Sequence, residues 1–265
     1  MLSFDEYRAA PGENLSRLKL LSKSPKAYLA QQRHDTAALS AGRLVHTAVL
    51  EPDAFAHEVC VYPGKVRRGK EWDSFQAENR HKSIVTAAEH ELATNIAGSV
   101  HSHPWASCYF EEGTPEVSVF WRHTIGIDCK SRIDWFREDL VLDLKTARDI
   151  TPDGFARQCA SLNYHAQMAF YHDAAKALDG KDRKVVLLVV EKEPPFDLAP
   201  YVLPEEALAA GRRMYQDWLL LLKKCQGAGH YPGVAEQETE LHLPDWAFSE
   251  FDDGRLIIDG VEVAV

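Results

Sequence analysis

The chain has 265 residues, 40 of them acidic and 30 basic, with a formal net charge of −10. Its 45% hydrophobic and 26% charged content excludes a disordered or fibrous chain, and no run reaches the ~18 apolar residues that would cross a bilayer. The five cysteines (Cys60, Cys108, Cys129, Cys159, Cys225) include no C-x-x-C pair, which speaks against a disulfide framework, a structural zinc site or an iron–sulfur cluster.

The opening MLSFDEYRAAPGENL lacks the basic start and apolar centre of a signal peptide, so a soluble intracellular protein is expected. Asn14 to Gln32 reads as helix, with Ser16 placed to cap it and Ser24-Pro25 restarting a second turn. Ser40 to Leu50 is another helix, ended by Glu51-Pro52. A loop carrying Lys65, Arg67, Arg68 and Lys70 precedes Trp72, and Ala87 to Val100 reads as helix. The pattern then turns to strands: Glu116 to His123, Ile125 to Trp135 and Leu140 to Thr146 are rich in Val, Ile, Phe and Trp. Thr151-Pro152 opens a long helix running to about Leu178. Lys184 to Glu191 is the continuous apolar run of a buried strand, and Pro204 to Cys225 is a last helix.

This order predicts an α/β (α+β mixed) fold in which a central mixed β-sheet is flanked by helices and preceded by N-terminal helical additions. Residues 1–247 are expected to form one domain, helical to about 105, with a core over about 106–230; 248–265 is an acidic extension ending in a short hairpin. From Val234 onward there are nine acids and one base, so the first 233 residues carry only −2. Net charge therefore neither suggests nor excludes a nucleic-acid partner.

The second and third strands carry the chemistry. A turn at Arg137-Glu138-Asp139-Leu140 sets Asp134 opposite Asp143, with Cβ atoms roughly 4.5–5.5 Å apart. Two carboxylates so placed repel, and a bound cation removes the conflict. Lys145, two residues on, projects from the same face. Two acids and a lysine at a sheet edge suit magnesium-assisted phosphodiester hydrolysis, because magnesium takes hard oxygen ligands and stabilises charge on phosphate. Alone, D-x8-D-x-K also fits an ordinary surface ion pair, and Asp128 is a rival for the first acid.

The stretch RIDWFREDLVLDLKTARDI resembles the D…(D/E)-x-K signature of the PD-(D/E)XK nucleases, RecB-like branch. Most of the chain, from about Leu15 to Ala247, resembles RecE-type exonucleases. Seven ordered segments carry the match: PGENLSRLKLLSKSPKAYL, GRLVHTAVLEP, RRGKEWDSF, EVSVFW, the hairpin, YHAQMAFYHDA and YPG…LHLPDWA. A restriction-endonuclease-like core is implied.

The resemblance implies a role for each matching residue. Asp134 and Asp143 would be paired metal ligands, with the Leu144 carbonyl, His46 and Glu116 completing the set, and Lys145 the catalytic lysine. Gln167 and Tyr171 match a Q-x-x-x-Y helix motif that positions substrate and site groups; their i, i+4 spacing sets both on one face. Outside the family His46 reads as a packed core histidine, Glu116 as a surface acid and Tyr171 as packing. Lys65, Arg67, Arg68 and Lys70 are a solvated turn or a grip on DNA backbone, and Arg43, one turn from His46, could reach a terminal phosphate. His101-Ser-His103 reads as loop.

The activity implied is a Mg2+-dependent double-strand DNA exonuclease, with Mn2+ as a substitute ion and no Fe–S cluster. It would act 5′→3′, release 5′-mononucleotides and leave 3′ overhangs for a RecT-type annealing protein. A ring-shaped homo-oligomer, a tetramer foremost, a cytoplasmic location and a phage or prophage origin go with that reading. A nicking or structure-selective endonuclease and an inactive DNA-binding scaffold are the alternatives.

Overall fold

The computed structural model describes residues 2–30, 37–64 and 66–244, together with strands at 255–258 and 261–264. Helix α1 (Phe4–Ala9) is followed by α2 (Leu15–Leu18), a 3-10 turn (Lys19–Ser22) and α3 (Pro25–Leu29). The helical stretch from Asn14 is thus interrupted, with the expected restart at Ser24-Pro25. Asn14, not Ser16, is the N-cap and accepts from the Arg17 N–H, while Ser24 with Pro25 starts α3 afresh. Helix α4 (Ala37–Leu50) stops where Pro52 opens α5 (Pro52–Glu58). A small parallel pair follows, β1 (Val59–Val61) and β2 (Ser83–Val85), connected through α6 (Lys70–Glu78), and then α7 (Ala87–Ser102).

The main sheet has five strands, β3 (Thr114–Arg122), β4 (Asp128–Phe136), β5 (Leu140–Ala147), β6 (Lys184–Glu191) and β7 (Leu198–Val202), lying in that order. Only β5–β6 is parallel, so the sheet is mixed as the sequence predicts. The long helix expected from Thr151 to Leu178 is instead two, α8 (Pro152–Ser161) and α9 (Tyr164–Asp179). The break is at Asn163, whose left-handed backbone (φ 60°) is one that Asn tolerates better than most residues. Strand β7 is a further departure: Pro200 argues against a strand, yet β7 is an edge, where proline is tolerated. Helix α10 (Glu205–Ala228) follows, and β8 (Arg255–Ile258) pairs antiparallel with β9 (Val261–Ala264) as the expected terminal hairpin.

The apolar run of β6 reads as continuous because both of its faces are covered. Val185, Leu187 and Val189 pack with Leu18, Met168, Phe170 and Leu219, from α2, α9 and α10. Val186, Leu188 and Val190 pack with Val45, Val49, Ile96 and Val100, from α4 and α7. The N-terminal segment is tied to β4 by polar contacts. Lys130, 3% exposed, donates to the carbonyls of Tyr7 (3.0 Å), Arg8 (3.2 Å) and Ala10 at the end of α1.

Helices α9 and α10 meet closely at Gly211. A Cβ there would lie 2.3 Å from the His165 carbonyl oxygen and 2.8 Å from Ala166 Cα, which are backbone atoms that cannot rotate aside. Gly211→Ala should therefore push α9 away and lower stability by about 1–3 kcal/mol. Urea unfolding should show a lower midpoint at unchanged slope; an unaltered midpoint would contradict the close approach.

Candidate active site

Strands β4 and β5 pair only at Trp135↔Leu142 and Phe136↔Val141. That register sets residue 134 opposite residue 143, as the sequence predicts, but the ladder stops one step short of them. The Leu144 N–H donates to Asp134 Oδ2 at 2.9 Å, so a side chain takes the backbone donor where the strands part. Asp134 and Asp143 are buried at this parting, 7% and 0% exposed.

Three other elements, and a residue further along β5, bring groups to it. From α4, His46 Nδ1 lies 3.3 Å from Asp134 Oδ2. From β3, Glu116 faces Asp134 in the strand register but drops out of the ladder, with φ at 54°. A left-handed backbone at a non-glycine residue inside a strand is strained, and such strain persists where the surroundings hold the residue in place. Here the restraint is Arg132, whose Nε donates to Glu116 Oε2 at 2.5 Å and whose Nη1 reaches the Leu2 carbonyl at 3.0 Å. From further along β5, the Lys145 ammonium pairs with Asp143 Oδ2. From α9, Gln167 Nε2 lies 3.0 Å from both Asp143 Oδ1 and the Tyr171 hydroxyl, so the two helix-motif residues meet the second acid together.

The electrostatics follow from burial of like charges. Burial, then the neighbouring Asp143, pushes the Asp134 carboxyl well above the usual carboxylate range, against the pull of Lys145 and the Leu144 amide. Burial and the nearby Asp134 push Glu116 up to about 6, against its pairing with Arg132. Burial, then the Lys145 ammonium, holds His46 below its ordinary range, so the imidazole is neutral and keeps a lone pair. Burial alone would lower Lys145, but Asp143 and Asp134 outweigh it and keep the amine protonated. Burial raises the Tyr171 phenol, which stays protonated.

This donor set fits a divalent cation. One ligand atom from each of His46, Glu116 and Asp134 lies within 4.8 Å of the others, the one such group among the described residues. Asp143 Oδ2 is buried, and its charge is met by the Lys145 ammonium. A cation bound here would relieve carboxylate repulsion that the protein alone meets by raising pKa values.

Most of the other sequence candidates have local partners. Arg43 bonds Ser40 Oγ at 3.2 Å and stands 5.9 Å from the Phe4 ring. Arg67 is engaged by β2, α7 and α6, with Ile84 O at 3.2 Å, Glu89 Oε2 at 3.3 Å and the Trp72 ring 5.7 Å away. Arg68 and Lys70 are exposed, and Lys65 falls outside the described residues. Asp128, the rival first acid, forms an exposed pair with Arg122 at the far end of β4. His101 bonds the Val49 carbonyl, and His103 Nδ1 accepts from Trp105 N and Ala106 N, so both serve local structure. Sequence reasoning missed Arg132 and Tyr164. Arg132 had a signal, since it stands two residues before Asp134 on the same strand.

The comparisons with known proteins bear on the family and the fold. A family model for a PDDEXK-like domain of unknown function (DUF3799) matches residues 14–241. No curated protein matches the chain. Among solved structures, a crystal structure from Eubacterium rectale described as a "Putative exonuclease" superposes with a TM-score of 0.64 at 13% identity, covering 95% of this chain and 99% of that one. At that identity the likeness is one of fold. The crystal structure of SSO0001 aligns at 15% identity over 77% of this chain and 85% of that one, but its TM-score of 0.29 is too low to carry an argument.

The raised carboxyls make the metal-free protein pH-sensitive in a definite direction. Glu116 binds its proton more tightly folded (about 6) than at its usual 4.5, so its contribution is complete below about 4.5 and is lost as pH rises through about 6. The loss is worth about 2 kcal/mol. In chelator, Glu116→Gln should match the wild type at low pH and become the more stable of the two as pH rises to 7. Divalent cation should stabilise the wild type more than the variant at pH 7. Thermal melts across that range check this, and a wild type that outlasts the variant at pH 7 in chelator would refute it.

Proposed function

The chain belongs to this PDDEXK-like family, and from that premise we propose that it is a divalent-metal-dependent nuclease acting as a double-strand DNA exonuclease. One observation carries the reading: Asp134, Asp143 and Lys145 converge where β4 and β5 part, with His46 and Glu116 closing the other side. A surface ion pair would need neither the burial of both acids nor their repulsion. The finer features rest on the resemblance to RecE-type exonucleases. They are 5′→3′ direction, 5′-mononucleotide products, Mg2+ with Mn2+ as substitute, a ring-shaped oligomer and a RecT-type annealing partner.

Asp134, Asp143, His46, Glu116 and the Leu144 carbonyl would hold the cation, which when bound supplies a Lewis acid for the phosphate and an acidified water. The remaining work falls to the chain itself. Lys145, kept protonated by its acidic neighbours, places positive charge where the pentavalent phosphate gathers negative charge. The Leu144 N–H fixes Asp134 in one orientation, and Gln167 does the same for Asp143. Tyr171 in turn restrains Gln167, so Asp143 is oriented by two linked side chains and not by solvent. Neutral His46 avoids adding a second positive charge beside Lys145. Arg43, Lys65, Arg67, Arg68 and Lys70 are proposed to contact DNA phosphates; Arg67, Arg68 and Lys70 are exposed.

Linear duplex labelled separately at each 5′ and 3′ end, and a closed circle, test the proposal. With Mg2+ the 5′ label should be released first as mononucleotide and the circle should stay intact; cutting of the circle would make the protein an endonuclease. Lys145→Ala should lower cleavage by about 100-fold or more while DNA binding in Ca2+ survives. Undiminished cleavage by that variant would defeat the assignment.

A further inference from the structure

The Lys145 ammonium is held from two directions. On one side is the Asp143 carboxylate, and on the other is the face of the Tyr164 ring, with Nζ 4.9 Å from the ring centroid. A cation at that distance is attracted by the negative face of an aromatic ring. Tyr164 is not loosely placed. It is the first residue of α9, and the left-handed turn at Asn163 sets the direction in which the helix starts. The carbonyl of Leu162 in the same turn is held by the Lys19 ammonium at 2.7 Å. Behind the Tyr164 ring lies buried Phe155, with centroids 6.1 Å apart, and Phe155 stacks on Tyr201 at 5.5 Å and 11°. The Tyr201 hydroxyl bonds the Ile150 carbonyl, so the aromatic tier is fixed at both ends.

We infer that Tyr164 is a positioning residue, whose ring face keeps the Lys145 ammonium aimed once Asp143 is engaged by a metal ion. The argument is one of competing attractions. Without metal, Asp143 is the lysine's ion-pair partner. A divalent cation on the same carboxylate weakens that ion pair and repels the ammonium, and a flexible four-carbon side chain would then swing away. The ring supplies an attraction that metal binding does not cancel. It does so without a negative charge that would compete for the cation. This inference rests on the nuclease reading of Lys145.

The test is steady-state cleavage of linear duplex in Mg2+ by Tyr164→Phe, Tyr164→Leu and a series carrying progressively fluorinated phenylalanine at position 164. Fluorination drains the negative ring face while nearly preserving shape. Tyr164→Phe should stay within about twofold of wild-type kcat, while Tyr164→Leu should lose about 3- to 30-fold in kcat at unchanged KM and unchanged DNA affinity in Ca2+. The fluorinated series should fall stepwise, which a purely structural role would not produce and which remains readable if the leucine variant folds poorly. A flat fluorinated series, or a leucine variant with wild-type kcat, would overturn the inference. A phenylalanine variant as impaired as leucine would also overturn it, assigning the effect to the hydroxyl. Lys145→Ala measured in parallel separates the two failures. If that variant cleaves normally, the reading of the site is wrong; if only the Tyr164 series fails, the site stands without this residue's help.

Discussion

Everything at this site follows from one constraint: two carboxylates, Asp134 and Asp143, are buried side by side at the end of a short β-ladder. A β4–β5 ladder continued past Trp135↔Leu142 would have pressed the acids together with backbone on both sides. Instead the strands part, and the Leu144 amide turns to the Asp134 side chain. That arrangement is costly unless the charge is compensated. The protein compensates in part with Lys145 on one acid, His46 beside the other and raised carboxyl pKa values. On the proposed reading the balance is left for a cation, and the unfavourable electrostatics of the metal-free site would be the source of its affinity.

The layers of the fold exist, for this purpose, to reach that point from both sides. Strand β6 is buried on both faces and ties the helical layers together. Helix α4, from one layer, delivers His46, and α9, from the other, delivers Gln167, Tyr171 and Tyr164. The edge strand β3 contributes Glu116 only by leaving the regular strand conformation. Its restraint comes through Arg132, which also holds the N-terminal segment at Leu2. Five elements thus depend on one another's placement within a few ångströms. A shift in α9 at Gly211 would be felt by Asp143 through Gln167.

Much of this was legible in the sequence where one local rule governs a residue. The doubly buried β6 matches its apolar run end to end, and the hairpin register follows from turn position alone. Ser24-Pro25 restarts a helix and Glu51-Pro52 ends one as read, although Pro52 also opens α5, where the sequence reads as loop. What was not legible depends on contacts between distant segments. The break between α8 and α9 rests on a single Asn in a left-handed conformation, which an apolar period of 3.6 cannot reveal. Strand β7 forms because β6 offers an open edge, despite Pro200. The φ of Glu116 and the meeting of Tyr164 with Lys145 have no sequence signal at all, since each is set by partners remote in the chain. The acids and the lysine were found by spacing, and the groups that restrain them were not.

The distribution of charge bears on how such a protein, net negative, could act on a polyanion. Nine acids fall in the last 32 residues, so the body that carries the site is close to neutral. Between Asn14 and Ala30 there are four bases, Arg17, Lys19, Lys23 and Lys26, and no acid. Lys19 from that stretch is bonded to the α8–α9 turn, whose next residues are Asn163 and Tyr164, so positive charge lies beside the elements that aim Lys145. Lys19, and any cation the carboxylates hold, therefore add positive charge beside the site. On the proposed reading, a bound metal does more than assist the chemistry. It reverses the sign of charge at the one place where buried carboxylates would otherwise repel the phosphate that must approach them.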